Sequence, residues 1–203
     1  MIIRDLDVSN IYLTQNSDLG IVRISDLQNA LIMGPKQKTN QTIGDVNFRA
    51  PEILQGKPYN FKADSFAIGV IIFYILTQEM PFEATDESSL EDQIINAEPR
   101  LELLRDMGFS EQCIDLISKL LEKEKKLRPK ACKALKHQWL QTSLEKSTLK
   151  KKGWKGAISR LNMAKKLRYL ASSASPKNKA TRNANSANRP RESSKFRRAS
   201  QQP

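Results

Sequence analysis

The chain has 203 residues, of which 39% are hydrophobic and 28% charged, and its formal net charge is +12. This length fits one domain of ordinary size plus an extension. Two cysteines, no apolar run of about 20 residues and no signal-like opening argue against a disulfide-rich secreted scaffold or a membrane-spanning protein, so we expect a cytosolic or nuclear monomer.

The positive charge is concentrated at the carboxyl end. Residues 146–170 contain nine Lys and Arg and no acid, and residues 171–203 contain eight against one acid. The formal charge is therefore +16 for residues 146–203 and −4 for residues 1–145. This break, together with the low apolar content of the tail, predicts three parts: a folded domain at 1–144, a basic amphipathic helix at 145–170 and a disordered basic tail at 171–203.

Short polar loops and β-patterned runs come first in chain order. Residues 3–10 read I-R-D-L-D-V-S-N, and two β-patterned runs follow at 11–13 and 21–24. The polar residues 16–20 separate these runs, which is typical of a hairpin. The tetrapeptide S-D-L-Q at 25–28 comes next, and a polar stretch then leads to A-P-E at 50–52.

Helical patterns occupy the rest of the predicted domain. The apolar run Phe66–Leu76 predicts a helix buried on every side, too short to cross a bilayer. Acidic residues 83–92 predict the start of another helix, with Ser88 or Ser89 as its N-cap. The spacing in 113–121 predicts an inward-facing helix, and we expect both cysteines, Cys113 and Cys132, to be reduced core thiols.

These segments, in this order, resemble the C-terminal lobe of protein kinases. Residues 3–10 resemble the catalytic loop H-R-D-L-K-x-x-N, S-D-L-Q stands where D-F-G is expected, and A-P-E is written as in kinases. Three later strings resemble signals of the central helix and of the end of the lobe: D-S-F-A-I-G at 64–69, L-R-P at 127–129 and H-Q-W-L at 137–140. The resemblance implies a mainly α fold with a small β-hairpin near the N-terminus and a packing role for His137.

The resemblance also implies site residues for phosphoryl transfer from ATP to a protein substrate. Asp5 corresponds to the carboxylate that orients and deprotonates the attacking hydroxyl. Asn10 and Asp26 correspond to the residues that bind Mg²⁺ and, through it, the nucleotide phosphates. Glu52 and Arg128 correspond to a buried structural ion pair. The alternative for the polar site residues is that they are ordinary turn formers in solvated loops.

Some residues depart from the kinase pattern. Asp7 stands where serine/threonine kinases carry a lysine, and Asp45 stands where the substrate-binding loop carries a threonine. Both changes put a negative charge beside a polyanionic substrate, which opposes transfer. Ile3 replaces a histidine with loss of a hydrogen-bonding ring, and Gln28 replaces the glycine of the metal-binding turn.

The 203 residues contain neither a G-x-G-x-x-G glycine loop nor a V-A-I-K lysine. From this sequence we expect that the kinase N-lobe is absent and that the chain alone binds ATP weakly or not at all. Two interpretations stay open: one part of an active kinase, or a pseudokinase or regulatory fragment that transfers no phosphate.

The basic segment carries apolar residues on two offset faces. Trp154, Ile158 and Leu161 share one face of a helix, and Leu167 lies on a face roughly opposite. Two apolar clusters on a cationic helix suit a partner that wraps around it with acidic, methionine-rich grooves, as calmodulin does. This segment resembles the regulatory tail of calcium/calmodulin-dependent kinases, in which it blocks the substrate site until calmodulin removes it. The alternatives are a membrane-surface helix and a last helix packed on the lobe.

The final residues suggest a modification site and a further function class. The string R-R-A-S ending at Ser200 resembles a site for basophilic kinases. The tail could also make the chain a cationic nucleic-acid or membrane binder, although it has a single aromatic residue, Phe196, and so no series of stacking side chains.

Overall fold

Helices account for most of the regular structure in residues 1–13 and 22–141, the residues that the computed structural model describes. Three short 3₁₀ turns lie at Val8–Asn10, Leu27–Asn29 and Val46–Phe48. The strands are β1 (Ile11–Leu13) and β2 (Val22–Ile24), and the helices are α1 (Pro51–Leu54), α2 (Lys62–Thr77), α3 (Glu87–Asn96), α4 (Glu102–Asp106), α5 (Glu111–Leu120) and α6 (Ala131–Ala134).

The two strands form the hairpin that the sequence predicts. They pair antiparallel, with Ile11 opposite Ile24 and Leu13 opposite Val22. The hairpin places the ends of two functional loops side by side, because residues 3–10 precede β1 and residues 25–29 follow β2.

Helix α2 is the axis of the core, as the apolar run predicts, and it begins four residues before that run. Its residues Phe66, Val70 and Phe73 are completely buried. The ring of Phe66 stacks on that of Phe82, with centroids 6.2 Å apart. Because α2 also contacts α4, α5, α6 and the third 3₁₀ turn, burial on several faces explains why it lacks an amphipathic pattern. No helix in residues 1–13 and 22–141 is both long and apolar enough to cross a membrane.

Helix α3 begins later than its acidic run suggests, and the predicted cap is wrong. The N-cap is Asp86, whose Oδ1 accepts the backbone N–H of Ser89 at 2.9 Å. Asp86 also accepts the Ser89 hydroxyl. A carboxylate at this place satisfies an otherwise unpaired N–H and interacts favourably with the helix dipole, so the serine at position 89 lies inside the helix.

The two cysteines do not share one environment. Cys113 on α5 is buried, and burial raises the pKa of its thiol to about 11. Cys132 on α6 is exposed, so the prediction that it is a core thiol is wrong. The reason is that α6 is a single short turn with only Ala134 buried, which a helical pattern in the sequence does not reveal.

Lys123 connects the C-terminal end of α3 to the core through a hydrogen bond and an aromatic contact. Its Nζ donates to the carbonyl of Ile94 at 2.6 Å and lies 3.9 Å from the centroid of the Phe82 ring. Burial lowers the pKa of Lys123 from 10.5 to about 8. The folded chain therefore binds fewer protons than the unfolded chain between about pH 8 and 10.5, and the Lys123 contribution to stability rises with pH in that window.

The expected rise of the Lys123 contribution with pH can be tested. Subtracting the unfolding free energy of a Lys123→Met variant from that of the native chain should give a difference that increases from pH 8 to pH 9.5, measured by urea denaturation at each pH. Lys119→Met, which also removes one lysine but from an exposed ion pair with Asp115, is the matched control. A difference that is constant or falls over this range would contradict the account.

Candidate functional site

Asp64, in the first turn of α2, anchors the loop that contains Asp5. Its Oδ2 accepts the backbone N–H of Ile3 at 2.8 Å, and its Oδ1 accepts that of Arg4 at 3.0 Å. Burial raises the pKa of the Asp64 carboxyl, and the two backbone donors act in the opposite direction. Arg4 has a φ of 67°, an uncommon conformation for a residue with a side chain. Asp64 therefore holds a strained residue directly before Asp5.

Asp5 lies between two other loops. Its Oδ2 accepts a hydrogen bond from Asn29 Nδ2 at 2.9 Å. On the other side, a Cβ added to Gly44 would stand 3.1 Å from Asp5 Oδ1 and 3.1 Å from the Arg4 carbonyl oxygen. Gly44 also has a φ of 89°, which favours glycine. Its missing side chain thus allows the backbone of residues 44–45 to approach the carboxylate.

Asn10 joins the loop of Asp5 to the turn of Asp26. Asn10 Nδ2 donates to the Asp5 carbonyl at 3.1 Å, and the Asn10 carbonyl accepts the backbone N–H of Ser25 at 2.8 Å. Asp26 follows with a φ of 56° and begins the second 3₁₀ turn without a side-chain capping bond. Asp5 and Asn10 are therefore hydrogen-bonded to each other, and Asp26 directly follows Ser25, the residue whose N–H the Asn10 carbonyl accepts.

Asn10 and Asp26 carry oxygen atoms of the chemical type that binds a magnesium ion arriving with a nucleotide. Mg²⁺ is usually bound by one or two protein oxygens, with water and substrate phosphates completing its shell. Asn10 offers an amide oxygen and Asp26 a carboxylate that is not used for capping. Within residues 1–13 and 22–141 no group of three or more His, Cys, Asp and Glu could hold a metal.

The two unexpected carboxylates, Asp7 and Asp45, are both N-caps. Asp7 Oδ1 accepts the backbone N–H of Ser9 at 2.8 Å and starts the first 3₁₀ turn. Asp45 Oδ1 accepts the backbone N–H of Asn47 at 2.9 Å and starts the third. Each therefore has a structural task that is independent of a substrate.

Arg4 binds two loops at once. Its Nε donates to the Asn29 carbonyl at 2.6 Å, and its Nη1 donates to Gln41 Oε1. The carbonyl of Gln41 accepts the hydroxyl of Tyr59 at 2.6 Å, and Thr39 pairs with Tyr59 through an isolated bridge. The polar stretch that the sequence leaves without structure is therefore attached to the loop of Asp5 and to the chain after α1.

Glu52 and Arg128 lie together in the core. The two guanidinium nitrogens of Arg128 donate to the two carboxylate oxygens of Glu52 at 2.8 and 2.9 Å. Arg128 is 0% exposed and Glu52 is 4% exposed. Arg128 Nε also donates to the carbonyl of Glu122 at 2.8 Å. The pair joins α1 to the segment before α6.

His137 has a packing environment. Its Nε2 lies 2.7 Å from Asp115 Oδ2, and its Nδ1 accepts the backbone N–H of Trp139 at 3.3 Å. These contacts connect the end of the domain to α5.

The sequence does not indicate that three further residues contact Asp5 or its loop. Asn29, Gly44 and Asp64 contact Asp5 or its loop from positions 24, 39 and 59 residues away in the chain. Asp64 belongs to the string D-S-F-A-I-G, which resembles a kinase motif, but the string does not indicate which groups the Asp64 carboxylate binds. The predicted calmodulin contacts Trp154, Ile158, Leu161 and Leu167 and the predicted phosphorylation site Ser200 lie outside the described residues.

Comparison with known proteins gives a family match over most of the described chain. The sequence model of the protein kinase domain matches residues 1–140. Among curated relatives, serine/threonine-protein kinase dkf-2 of Caenorhabditis briggsae is 34% identical over 137 residues, which are 68% of this chain and 11% of the relative. CDPK-related kinase 7 of Arabidopsis thaliana is 31% identical over 142 residues, which are 70% of this chain and 24% of the relative.

A third relative carries calcium in its name. Calcium/calmodulin-dependent serine/threonine-protein kinase 1 of Oryza sativa subsp. japonica is 28% identical over 142 residues, which are 70% of this chain and 24% of the relative. The chain thus spans about a quarter or less of the length of these relatives. With the kinase-domain model matched over residues 1–140, the chain belongs to the protein kinase family.

Proposed function

We propose that this chain carries the acceptor-binding and metal-binding loops of a calcium/calmodulin-dependent-type serine/threonine kinase, which transfers the γ-phosphoryl group of ATP to a protein hydroxyl. Asp5 orients and deprotonates that hydroxyl, and Asn10 and Asp26 hold Mg²⁺. The observation that carries the proposal is the pair of hydrogen bonds by which Asn10 joins the Asp5 carbonyl to Ser25. Bound Mg²⁺ supplies charge neutralisation at the phosphates.

The protein's own contribution is the placement of one carboxylate. Asp5 Oδ2 is held by Asn29, whereas Oδ1 faces the backbone of Gly44. A general base must lie within hydrogen-bond reach of the proton that it removes. We therefore propose that Oδ1, the oxygen that Asn29 does not hold, accepts the proton of the acceptor hydroxyl.

Transfer also needs groups that hold the nucleotide from its other side. The 203 residues contain no glycine loop and no V-A-I-K lysine, and we propose that this chain alone binds nucleotide weakly and transfers little or no phosphate. The test is to join the N-lobe of an active calcium-dependent kinase ahead of Met1 and to measure γ-phosphate transfer to a basic serine peptide. We expect transfer that an Asp5→Asn change lowers by about 10²–10⁴-fold, the usual contribution of a general base.

A second candidate is a pseudokinase or regulatory fragment, and Asp7 and Asp45 favour it because each puts a carboxylate where the kinase pattern has a lysine or a threonine. It would be supported if the joined protein folds and binds ATP but transfers nothing. An Asp7→Lys, Asp45→Thr double variant separates the causes: gain of transfer would assign the defect to these charges, whereas continued inactivity would count against Asp5 as a base.

Regulation by calmodulin is a separate part of the proposal. Its support is the sequence pattern of Trp154, Ile158, Leu161 and Leu167 in a segment without acids. We expect calcium-dependent binding of calmodulin to shift the fluorescence of Trp154 to shorter wavelength. A Trp154→Phe variant is the control, because it leaves the contribution of the partly buried Trp139 unchanged.

The basic tail provides the remaining alternative. Calcium-independent binding to heparin or to anionic vesicles, with no response of Trp154 to calmodulin, would favour a nucleic-acid or membrane binder instead.

Phosphorylation at Ser200 by a basophilic kinase is proposed for the same tail. The test is to compare phosphate incorporation into the native chain and into a Ser200→Ala variant when each is incubated with a basophilic kinase.

A further inference from the structure

The side chain of Asn29 contacts the proposed base directly. Its Nδ2 donates to Asp5 Oδ2 at 2.9 Å, and both residues are partly buried. An amide donor is neutral, so it fixes the direction of a carboxylate without pairing its charge. This contact joins the turn after Asp26 to the carboxylate itself, whereas Asn10 reaches only the Asp5 backbone.

Asn29 is fixed at its backbone as well. Its carbonyl accepts Arg4 Nε at 2.6 Å, and Arg4 is fixed by its own backbone bond to Asp64. Asn29 is also the last residue of the second 3₁₀ turn. With its main chain held on the loop of Asp5, the amide has little freedom to leave the carboxylate, which is what a support for a reacting group requires.

Asp7, two residues after Asp5, is not a donor to this carboxylate. Its own oxygens accept the backbone N–H and the hydroxyl of Ser9 at 2.8 and 2.9 Å. The orienting bond on Oδ2 therefore comes from the other loop, and Oδ1 remains on the side of Gly44.

We propose that Asn29 is a positioning residue, whose amide holds Asp5 Oδ2 so that Oδ1 is directed at the acceptor hydroxyl. The inference rests on the proposed function, because it assigns a role in transfer. The contact between Asn29 and Asp5 can be tested without measuring phosphate transfer.

The experiment is solution NMR of the full chain. With Asp5→Ala we expect the side-chain amide protons of Asn29 to shift upfield, while those of Asn96, which donate to Asp92 on an exposed helix face, stay in place. With Asn29→Ala we expect the Asp5 α–β proton couplings to change from those of one side-chain rotamer to averaged values. Asn96→Ala is the matched control and should leave the Asp5 couplings unchanged.

The outcomes separate the inference from the proposed function. An Asn29 resonance that does not respond to Asp5→Ala, or a single Asp5 rotamer in Asn29→Ala, would overturn the positioning role. In the transfer assay of the protein joined to an N-lobe, Asn29→Ala should lower kcat and leave KM for the peptide unchanged. If the NMR results are as expected but the joined protein transfers no phosphate, the proposed function is rejected. The contact between Asn29 and Asp5 then still stands.

Discussion

An Arg128→Met variant is expected to lose about 3–5 kcal/mol of unfolding free energy, the usual effect of removing one partner from a buried ion pair. The carboxylate of Glu52 would remain in the core without its two hydrogen bonds from Arg128. The carbonyl of Glu122 would also lose its donor, and the ring of Phe66 would lose the guanidinium that lies 5.1 Å from its centroid. Since a domain of this size has about 5–15 kcal/mol in total, much of the variant could be unfolded at 37 °C.

Urea denaturation followed by circular dichroism measures this loss. Arg105→Met is the control: Arg105 pairs with Glu111 at 3.6 Å with side chains 55% and 78% exposed, and exposed pairs contribute at most about 1 kcal/mol. A Glu52→Leu, Arg128→Met double variant should recover much of the loss, because neither charge is then left unpaired. Equal losses in Arg128→Met and Arg105→Met would contradict the assignment of a buried structural pair.

A Gly69→Ala variant is expected to lose about 1–3 kcal/mol through overpacking between α2 and α5. A Cβ on Gly69 would stand 2.9 Å from Leu120 Cβ and 3.0 Å from Leu121 Cδ2. Leu120 and Leu121 are both 1% exposed, so they cannot move aside without disturbing the core. Alanine is otherwise the better helix former by about 1 kcal/mol, which makes a loss informative about packing.

Gly34→Ala is the matched control for this second prediction. An added Cβ there has ordinary contacts, the nearest being Gln37 Oε1 at 3.5 Å, and we expect little change in stability. The measurement is again the urea midpoint at constant slope. A Gly69→Ala chain as stable as the native one would mean that α2 and α5 are not as close as described.

The sequence reveals most about the parts of this fold that depend on local pattern. Helix α2 is visible in the sequence as a continuous apolar run, because a helix buried on several faces is apolar all round. The inward face of α5 is visible from spacing, because burial of one face places apolar residues at a helical period. The cap of α3 and the exposure of Cys132 are not visible in this way, since the first depends on a choice among several polar residues and the second on how far a short helix is covered. The ion pair of Glu52 and Arg128 joins residues 76 positions apart, and only the resemblance to kinases suggests it.

At the candidate site, too, the sequence indicates some residues and not others. Asp5, Asn10 and Asp26 stand in strings that resemble family motifs, whereas Asn29 is an ordinary polar residue until the folded chain brings its amide to Asp5. Asp7 and Asp45 can be interpreted from sequence only as misplaced charges. Their capping bonds to Ser9 and Asn47 give each a local reason to be a carboxylate, which charge counting does not provide.

The most direct measurement of the central claim is the broadening of amide resonances by manganese bound to ATP, recorded on the full chain at millimolar nucleotide to allow for weak binding. If the loops of Asn10 and Asp26 form one metal–phosphate site, broadening should centre on residues 7–10 and 25–29 and disappear in an Asn10→Ala, Asp26→Ala double variant. Broadening centred on the acidic start of α3, or unchanged in the double variant, would contradict the account.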